Sequence, residues 1–572
     1  MKPGNMKQRM LVAPVAAAVI CMLSGGAMAK KPVATDTFVP DPAKLEALGK
    51  EIFFDTNMST PGNKQGCVSC HDPRAGWTFP DSEINLGQVV NPGAKPHATG
   101  LVKPPTIAYA AFVEPFFNCG TGRSGHCGGL FWDGRAEGWG LLASDDTIDP
   151  PVLGPLGDGV VSETVTKYDL PDAVAEAYMA FLGPLADQAL NPAQKGVEQN
   201  AGEKKVCQRV KTAPYKALYK EAFGENIDCG SKPKDNPAYH VAFKRIAVAI
   251  AAFEKSDEVS PFSSPRDTAL YRELACADAA GNGGVPTGEF IDYWNSGLCT
   301  TLSGLKAAAD FGKFPLAFVG EYQMSGEAGT RLLTQEEIDQ INRGHDLFYG
   351  VESDLNPAID RWVMAGRPAA PTQVVAAGNA NCWNCHANNV GIDDGSEPRQ
   401  LYTNHSYHNI GTPFNKENPG VEFGEIVGQP SHAPTISSGR PSFKTPTLRQ
   451  VDTRESPEFV KAYAHNGYFK SVESIVHFYN TFFRRLVDLE DPASGFRFSD
   501  NCFDEYGIEH ATEAEALGPD WESTGIAKCW PDPESFDSIG FNTGQLGLTL
   551  DEEDALVAYI KALTDTVVVE AP

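Results

Sequence analysis

Along the chain, apolar residues recur at helical spacing in three places, and each time a cap marks the start. Asp41-Pro42 reads as an N-cap followed by proline at the first helical position, and Leu45, Leu48 and Ile52 then share one face. Thr334-x-x-Glu337 is a capping box ahead of Ile338 and Ile341, and Thr549-x-x-Glu552 is another ahead of Leu556, Tyr559, Ile560 and Leu563. No series of segments alternates apolar and polar residues as half-buried strands would, while Gly- and Pro-rich stretches such as Asn91 to Pro105 and Gly281 to Gly288 separate the periodic ones. The pattern predicts a mainly α fold with long loops.

The first two helices run into related sequences, Gly49-Lys50-Glu51-Ile52-Phe53-Phe54 and Gly344-His345-Asp346-Leu347-Phe348-Tyr349. Each precedes a Cys-x-x-Cys-His motif, Cys67-Val68-Ser69-Cys70-His71 and Cys382-Trp383-Asn384-Cys385-His386, by 14 residues from Phe53 and 34 from Phe348. This predicts a duplicated domain with one motif per copy, over 30–325 and 326–572. The 310 residues between His71 and Cys382 exceed what one small module needs, so insertions are expected.

Two thiols three residues apart on a helical turn reach the vinyl groups of one haem, and the adjacent histidine then points at the iron, which is covalent c-type attachment. With 13 Cys and 12 His in 572 residues, chance supplies only about 0.006 such motifs, so two of them predict two c-type haems. A thioredoxin-type site would need a βαβ context, and a zinc ribbon would need its cysteine pairs much closer together.

At the N-terminus Lys2, Lys7 and Arg9 precede an apolar run from Met10 to Leu23 and then Ala27-Met28-Ala29, so residues 1–29 read as a signal peptide. The run is too short to span a membrane. Removing the leader takes the net charge from −27 to −30, which argues against nucleic acid and anionic membrane as partners. Beyond Cys21 and the two motifs, eight cysteines remain, in neighbouring pairs: Cys119 with Cys127, Cys207 with Cys229, Cys276 with Cys299, and Cys502 with Cys529. Eight cysteines allow 105 connectivities; an even number in an exported chain predicts disulfides, and the neighbour pairing is the expectation.

The blocks "LGKEIFFD", "CVSCHDP", "PPTIAYAAF", "LFWDGRAE" (Leu130 to Glu137), "HSYHNIGTP" (His405 to Pro413), "FKTPTLRQV" (Phe443 to Val451) and "AHNGYFKSVESIVHFYN" (Ala464 to Asn480) run in order along nearly the whole chain. Together they resemble the bacterial di-haem cytochrome c peroxidase and MauG family. The resemblance implies that the haem held by Cys67, Cys70 and His71 reacts with hydrogen peroxide and that the haem held by Cys382, Cys385 and His386 exchanges electrons. A cytochrome or other electron donor, or a protein substrate, would be oxidised in the periplasm or at the cell surface.

No methionine follows Cys382; Met324 and Met364 are the nearest before it. The peroxidase branch takes its second axial ligand as methionine from the segment that aligns with Ala464 to Asn480, whereas MauG-like members carry tyrosine, which falls here on Tyr479 with His465 and His477 as alternatives. A phenolate ligand favours oxidised iron and lowers its potential. The resemblance also implies an acid/base carboxylate and a glutamine near the first haem. Leu185-Ala186-Asp187-Gln188-Ala189 is the best match, making Asp187, Gln188 and then Glu137 the candidates. His97, in a loop, corresponds to a removable ligand of the resting first haem in the peroxidase branch. Calcium is bound between the haems in the family by an asparagine and backbone carbonyls. The asparagine position is Lys103 here and the carbonyls fall near Val460 and Ala462, and a lysine cannot ligate calcium. Trp132, Trp139 and Trp383 are candidate electron-hopping residues. Two other classes fit the same motifs, a di-haem electron carrier without turnover and a haem oxygenase acting on a large apolar substrate.

Overall fold

In a computed structural model of the chain the described residues are 38–62, 64–119, 126–138, 168–269, 321–322, 331–349, 380, 382–386, 400–418, 442–482, 502–504, 506–518, 530–531, 533–534, 546 and 548–566. The first predicted helix, α1 (Pro42–Phe54), starts where the sequence placed it, with the Asp41 side chain accepting from Ala43 N. It lies against a long helix that the periodicity did not single out. The helices that follow in that region include α2 (Pro184–Ala189), α3 (Glu203–Thr212), α4 (Lys216–Phe223) and the long α5 (Ala238–Glu254). From Ala242 to Glu254 nearly every residue of α5 is buried, because α1, α2 and α3 cover it from different sides. An all-round apolar helix carries no amphipathic stripe to read.

In the second half another pair of helices packs together. Helix α6 (Gln335–Tyr349) begins on the predicted box, Thr334 N donating to Glu337 Oε2 at 2.7 Å, and packs on α9 (Leu550–Lys561), which begins on the Thr549–Glu552 box. Between them in sequence lie α7 (Trp383–His386) and α8 (Val472–Thr481). Helix α9 stops at Lys561, short of Leu563, although Leu563 is still fully buried.

Both helix pairs cross at a glycine. A Cβ on Gly49 would stand 1.9 Å from Ala249 O and 3.0 Å from Phe253 Cβ; a Cβ on Gly344 would stand 2.0 Å from Ala555 O and 2.7 Å from Tyr559 Cβ. Only glycine lets the backbones approach so closely. One apolar cluster runs from Leu45 to Val259 and a second from Ala269 to Leu563. They are tied by Arg449, which is 1% exposed, bonded to Asp267 at 2.7 Å through both terminal nitrogens, and stacked over Tyr109, Phe262 and Tyr402. Asp565 adds bonds from Tyr109 Oη, Ser263 N and Gln450 Nε2.

Strand is minor among the described residues: antiparallel pairs only two residues long, such as β1 (Phe117–Asn118) with β2 (His126–Cys127) and β3 (Tyr407–His408) with β4 (Phe443–Lys444). The Cys119–Cys127 and Cys207–Cys229 disulfides form as paired in the sequence. Cys502 is disulfide-bonded to a partner outside the described residues, where Cys276, Cys299 and Cys529 also lie. Trp139, Met324, Met364 and the stretch from Gly281 to Gly288 lie outside them as well. No helix among the described residues is long and apolar enough to cross a membrane.

Candidate functional site

Both Cys-x-x-Cys-His motifs fold as a single helical turn. In the first, His71 N donates to Cys67 O at 3.0 Å; in the second, His386 N donates to Cys382 O at 2.9 Å, so each pair of thiols is one turn apart. Each histidine is then aimed by a carbonyl. His71 Nδ1–H donates to Trp77 O at 3.1 Å and His386 Nδ1–H to Tyr402 O at 3.0 Å, which leaves Nε2 of each ring as the lone-pair nitrogen a metal requires. Burial lowers both imidazoles to about 4, so they are neutral near pH 7. Trp77 and Tyr402 both hold left-handed backbone, with φ of 61° and 53°, an unusual conformation for a bulky aromatic residue.

The space in front of His71 is a cavity lined mostly by apolar side chains, with a few polar groups among them. Cys67, Cys70 and His71 form one side. The opposite wall comes from α5 (Phe243, Ile246, Ile250, Glu254) and from α2 and the loop after it (Gln188, Glu198). Two thiols, an oriented imidazole and an apolar slot with a few polar groups fit a covalently attached haem.

Of the acid/base candidates, Gln188 reaches this cavity, whereas Asp187 and Glu137 are not among the residues that line it. Asp187 accepts instead from Tyr168 Oη at 2.5 Å and from Gly138 N at 2.8 Å. The Glu137 carbonyl takes a bond from Phe116 N, and its carboxylate charge is felt by Tyr407. One of the two carboxylates that line the cavity, with Glu254, is Glu198, which the sequence reading passed over. It is brought in by a loop that folds back, Ala201 N bonding Ala193 O and Ala94 N bonding Glu198 O, both at 2.7 Å. Burial raises the Glu198 carboxyl, opposed by the positive charges of Arg135 and Lys195. The turn residues Asn191-Pro192 and Lys195-Gly196 announce that fold-back; nothing local says which side chain it delivers. His97 sits exposed at the tip of its loop, away from the cavity lining.

The second motif meets a different neighbour. Tyr479, on α8, lies close enough to Cys385 and Cys382 for their charges to act on it, and with burial they push its phenol far above its ordinary value. The two alternative ligands are engaged elsewhere. His477 Nδ1 bonds both carboxylate oxygens of Glu553 at 3.1 Å, and His465 Nε2 bonds Glu534 Oε2 at 2.6 Å.

Trp132 is buried, its Nε1 donating to Lys103 O at 2.8 Å and its carbonyl accepting from Lys444 N. Trp383 is half-buried in the second motif itself, packed on the second core. Lys103 and Lys461 are buried, their ammonium groups resting on the carbonyls of Pro104 and Gln450. Burial lowers Lys103 to about 8 and Lys461 well below its ordinary value. Val460 O accepts from Asn85 Nδ2 at 3.0 Å.

Residues 43–273 match the family model described as di-haem cytochrome c peroxidase. The methylamine utilization protein MauG of Paracoccus denitrificans (strain Pd 1222) is 24% identical over 532 residues, covering 91% of this chain and 88% of that protein. Among solved structures, a tyrosine-to-methionine variant of the diheme peroxidase BthA from Burkholderia thailandensis E264 superposes with a TM-score of 0.50 at 19% identity, covering 92% of this chain and 87% of that one. The structure of BthA itself gives 0.48 at 20% identity, with the same coverage.

Proposed function

We propose that this chain, a di-haem peroxidase-type oxidoreductase of the di-haem cytochrome c peroxidase and MauG family, uses hydrogen peroxide at the His71 site to oxidise an electron-donor cytochrome or other protein substrate through the His386 site. The observation that carries this reading is the unlike furnishing of two like motifs: Gln188 and Glu198 face the cavity at Cys67 and Cys70, while Tyr479 faces Cys382 and Cys385.

Cys67 and Cys70, and Cys382 and Cys385, would hold the two haems through thioethers, and His71 and His386 would bind the irons through Nε2. Each haem supplies an iron that passes electrons one at a time. The residues supply the rest. The Glu198 carboxylate accepts the proton of one peroxide oxygen and returns it to the other, so that the O–O bond breaks with water as the leaving group. The Gln188 amide N–H orients the peroxide by donating to the leaving oxygen. Asp187, tied to Tyr168 and Gly138, positions α2 and thereby Gln188. At the second site Tyr479 would hold the iron through its phenolate oxygen, its proton going to solvent, and would lower the potential. Trp132, buried with its Nε1 on Lys103 O and its carbonyl on Lys444 N, is the hopping candidate in this reading.

Calcium has no evident role in this reading. Lys103 and Lys461 place two buried amino groups near one another, Lys103 standing where the family has its asparagine, and the Val460 carbonyl already has Asn85 as donor. The paired glycine crossings support a duplicated unit with copies over 30–325 and 326–572. The two described disulfides support an oxidising compartment, and a signal peptide over 1–29 delivers the chain to the periplasm or cell surface.

Stopped-flow mixing of the holoprotein with peroxide, with and without reduced cytochrome c, tests the reading. Glu198→Gln is expected to slow the peroxide step by about 10²–10⁴-fold, and Asp187→Asn far less. An unchanged rate in Glu198→Gln overturns the role given to Glu198, and a wild-type protein that does not react with peroxide favours a pure electron carrier.

A further inference from the structure

Helix α5 ends inside the first cavity on Glu254, a residue with no place in the chemistry above. It is 3% exposed, and its Oε2 meets no hydrogen-bond donor. Yet it lines the cavity beside Cys67, whose thiol feels its charge. A carboxylate buried without a partner is costly in the ionised form, so burial drives the Glu254 carboxyl up to about 8.

Nothing packed around it offers a compensating cation at the cavity. Helix α1 contributes Ile52 to the lining and holds Lys50 on Glu258; α3 contributes Val206 and holds Arg209 on Asp55. Helix α2 and its loop bring Gln188, Gln199 and the other carboxylate, Glu198, with Arg135 acting on Glu198. The attachment turn brings two thiols and the His71 ring, and the following residue, Lys255, points out to Ala180 O. Among the described residues lining the cavity none is lysine or arginine. The group poised to set the Glu254 charge is therefore the one that fills the cavity.

We propose that Glu254 is a redox-linked proton site of the first pocket: its carboxylate takes up a proton from solvent as an electron from the donor protein arrives at the cofactor, and releases it when that electron leaves. This rests on the reading of Cys67, Cys70 and His71 as a haem site. In the reducing direction one O–H bond forms on Glu254 and the iron charge falls by one, so the pocket's total charge is unchanged. A water-poor cavity favours such exchange because an uncompensated charge there is poorly screened. It also brings toward the site a proton of the kind that reduction of peroxide to water consumes.

The test is a spectroelectrochemical titration of the first haem in the full holoprotein between about pH 6 and about pH 10, a span chosen to bracket the Glu254 carboxyl. With one proton per electron the reduction equilibrium weakens about tenfold per pH unit, about 59 mV for a one-electron couple. Glu254→Gln is expected to flatten that slope, and Glu198→Gln to retain it. Glu254→Asp, which keeps an acid on a shorter stem, should retain the slope but move the pH at which it begins, and it decides the matter if the Gln variant does not fold. A wild-type profile without slope, or an undiminished slope in Glu254→Gln, or one unmoved in Glu254→Asp, overturns the proposal. Mass spectrometry of the same samples separates this from failure of the haem reading, which would show as no covalent haem at Cys67 and Cys70.

Discussion

The two Cys-x-x-Cys-His regions share a scaffold and differ in what faces it. Each is a one-turn helix, each histidine donates Nδ1–H to the carbonyl of a left-handed aromatic residue, and each follows a helix that crosses its partner at a glycine. Among the described residues the neighbours of the two motifs differ. At the first site Gln188, Glu198 and Glu254 line the cavity; at the second, helix α8 brings Tyr479 near Cys382 and Cys385. The attachment turns are alike, and the side chains beside them are not.

Breaking the scaffold at one site and then the other gives the largest effect. His71→Gly is expected to remove the fast peroxide reaction altogether, whereas His386→Gly leaves that reaction and stops delivery of electrons from the donor. Both variants keep two covalent haems by mass spectrometry, since the thioethers remain. Equal loss in the two variants contradicts the division of labour.

Tyr479→Phe sharpens the comparison. Removing the phenolate opens a coordination position and raises the midpoint potential of the second haem, and Tyr479→Met raises it further. The potential of the first haem stays put. An unaltered spectrum and potential in Tyr479→Phe would return the ligand to His465 or His477, despite their bonds to Glu534 and Glu553.

The shared crossing predicts parallel losses of stability. Gly49→Ala and Gly344→Ala each drive a methyl against a carbonyl, at 1.9 and 2.0 Å, and should each cost about 3 kcal/mol or more in denaturant unfolding. If either is neutral, the helix pairs are not packed as described. The smallest effect is on calcium: chelation by EDTA is expected to leave the unfolding temperature and the peroxide rate unchanged, because Lys103 and Lys461 are covalent parts of the chain. A clear drop in either restores a calcium site.

What could be read in advance was what is local. Asp41-Pro42, Thr334 with Glu337 and Thr549 with Glu552 cap helices where they stand, and both attachment motifs form the expected turn. The differences lie in which face a residue occupies. The resemblance puts Asp187 and Gln188 side by side in one block, but adjacent helical residues point about 100° apart, so one meets Tyr168 and the other the cavity. The same geometry, taken twice, separates His477 from Tyr479. Glu198 and Glu254 were invisible for opposite reasons: the first looks like one more acid in a polar turn, the second like the end of an apolar helix. Only the return of the loop and the packing of α5 put both into one cavity.

The central claim, that two like attachment sites carry unlike iron environments, is tested most directly by electron paramagnetic resonance of the resting ferric holoprotein. The account predicts one high-spin signal, from a first haem with an open position, that is altered by His71→Gly and not by Tyr479→Phe. It predicts one low-spin signal that behaves in the reverse way. Two low-spin signals, or a high-spin signal that follows Tyr479 instead of His71, would contradict it.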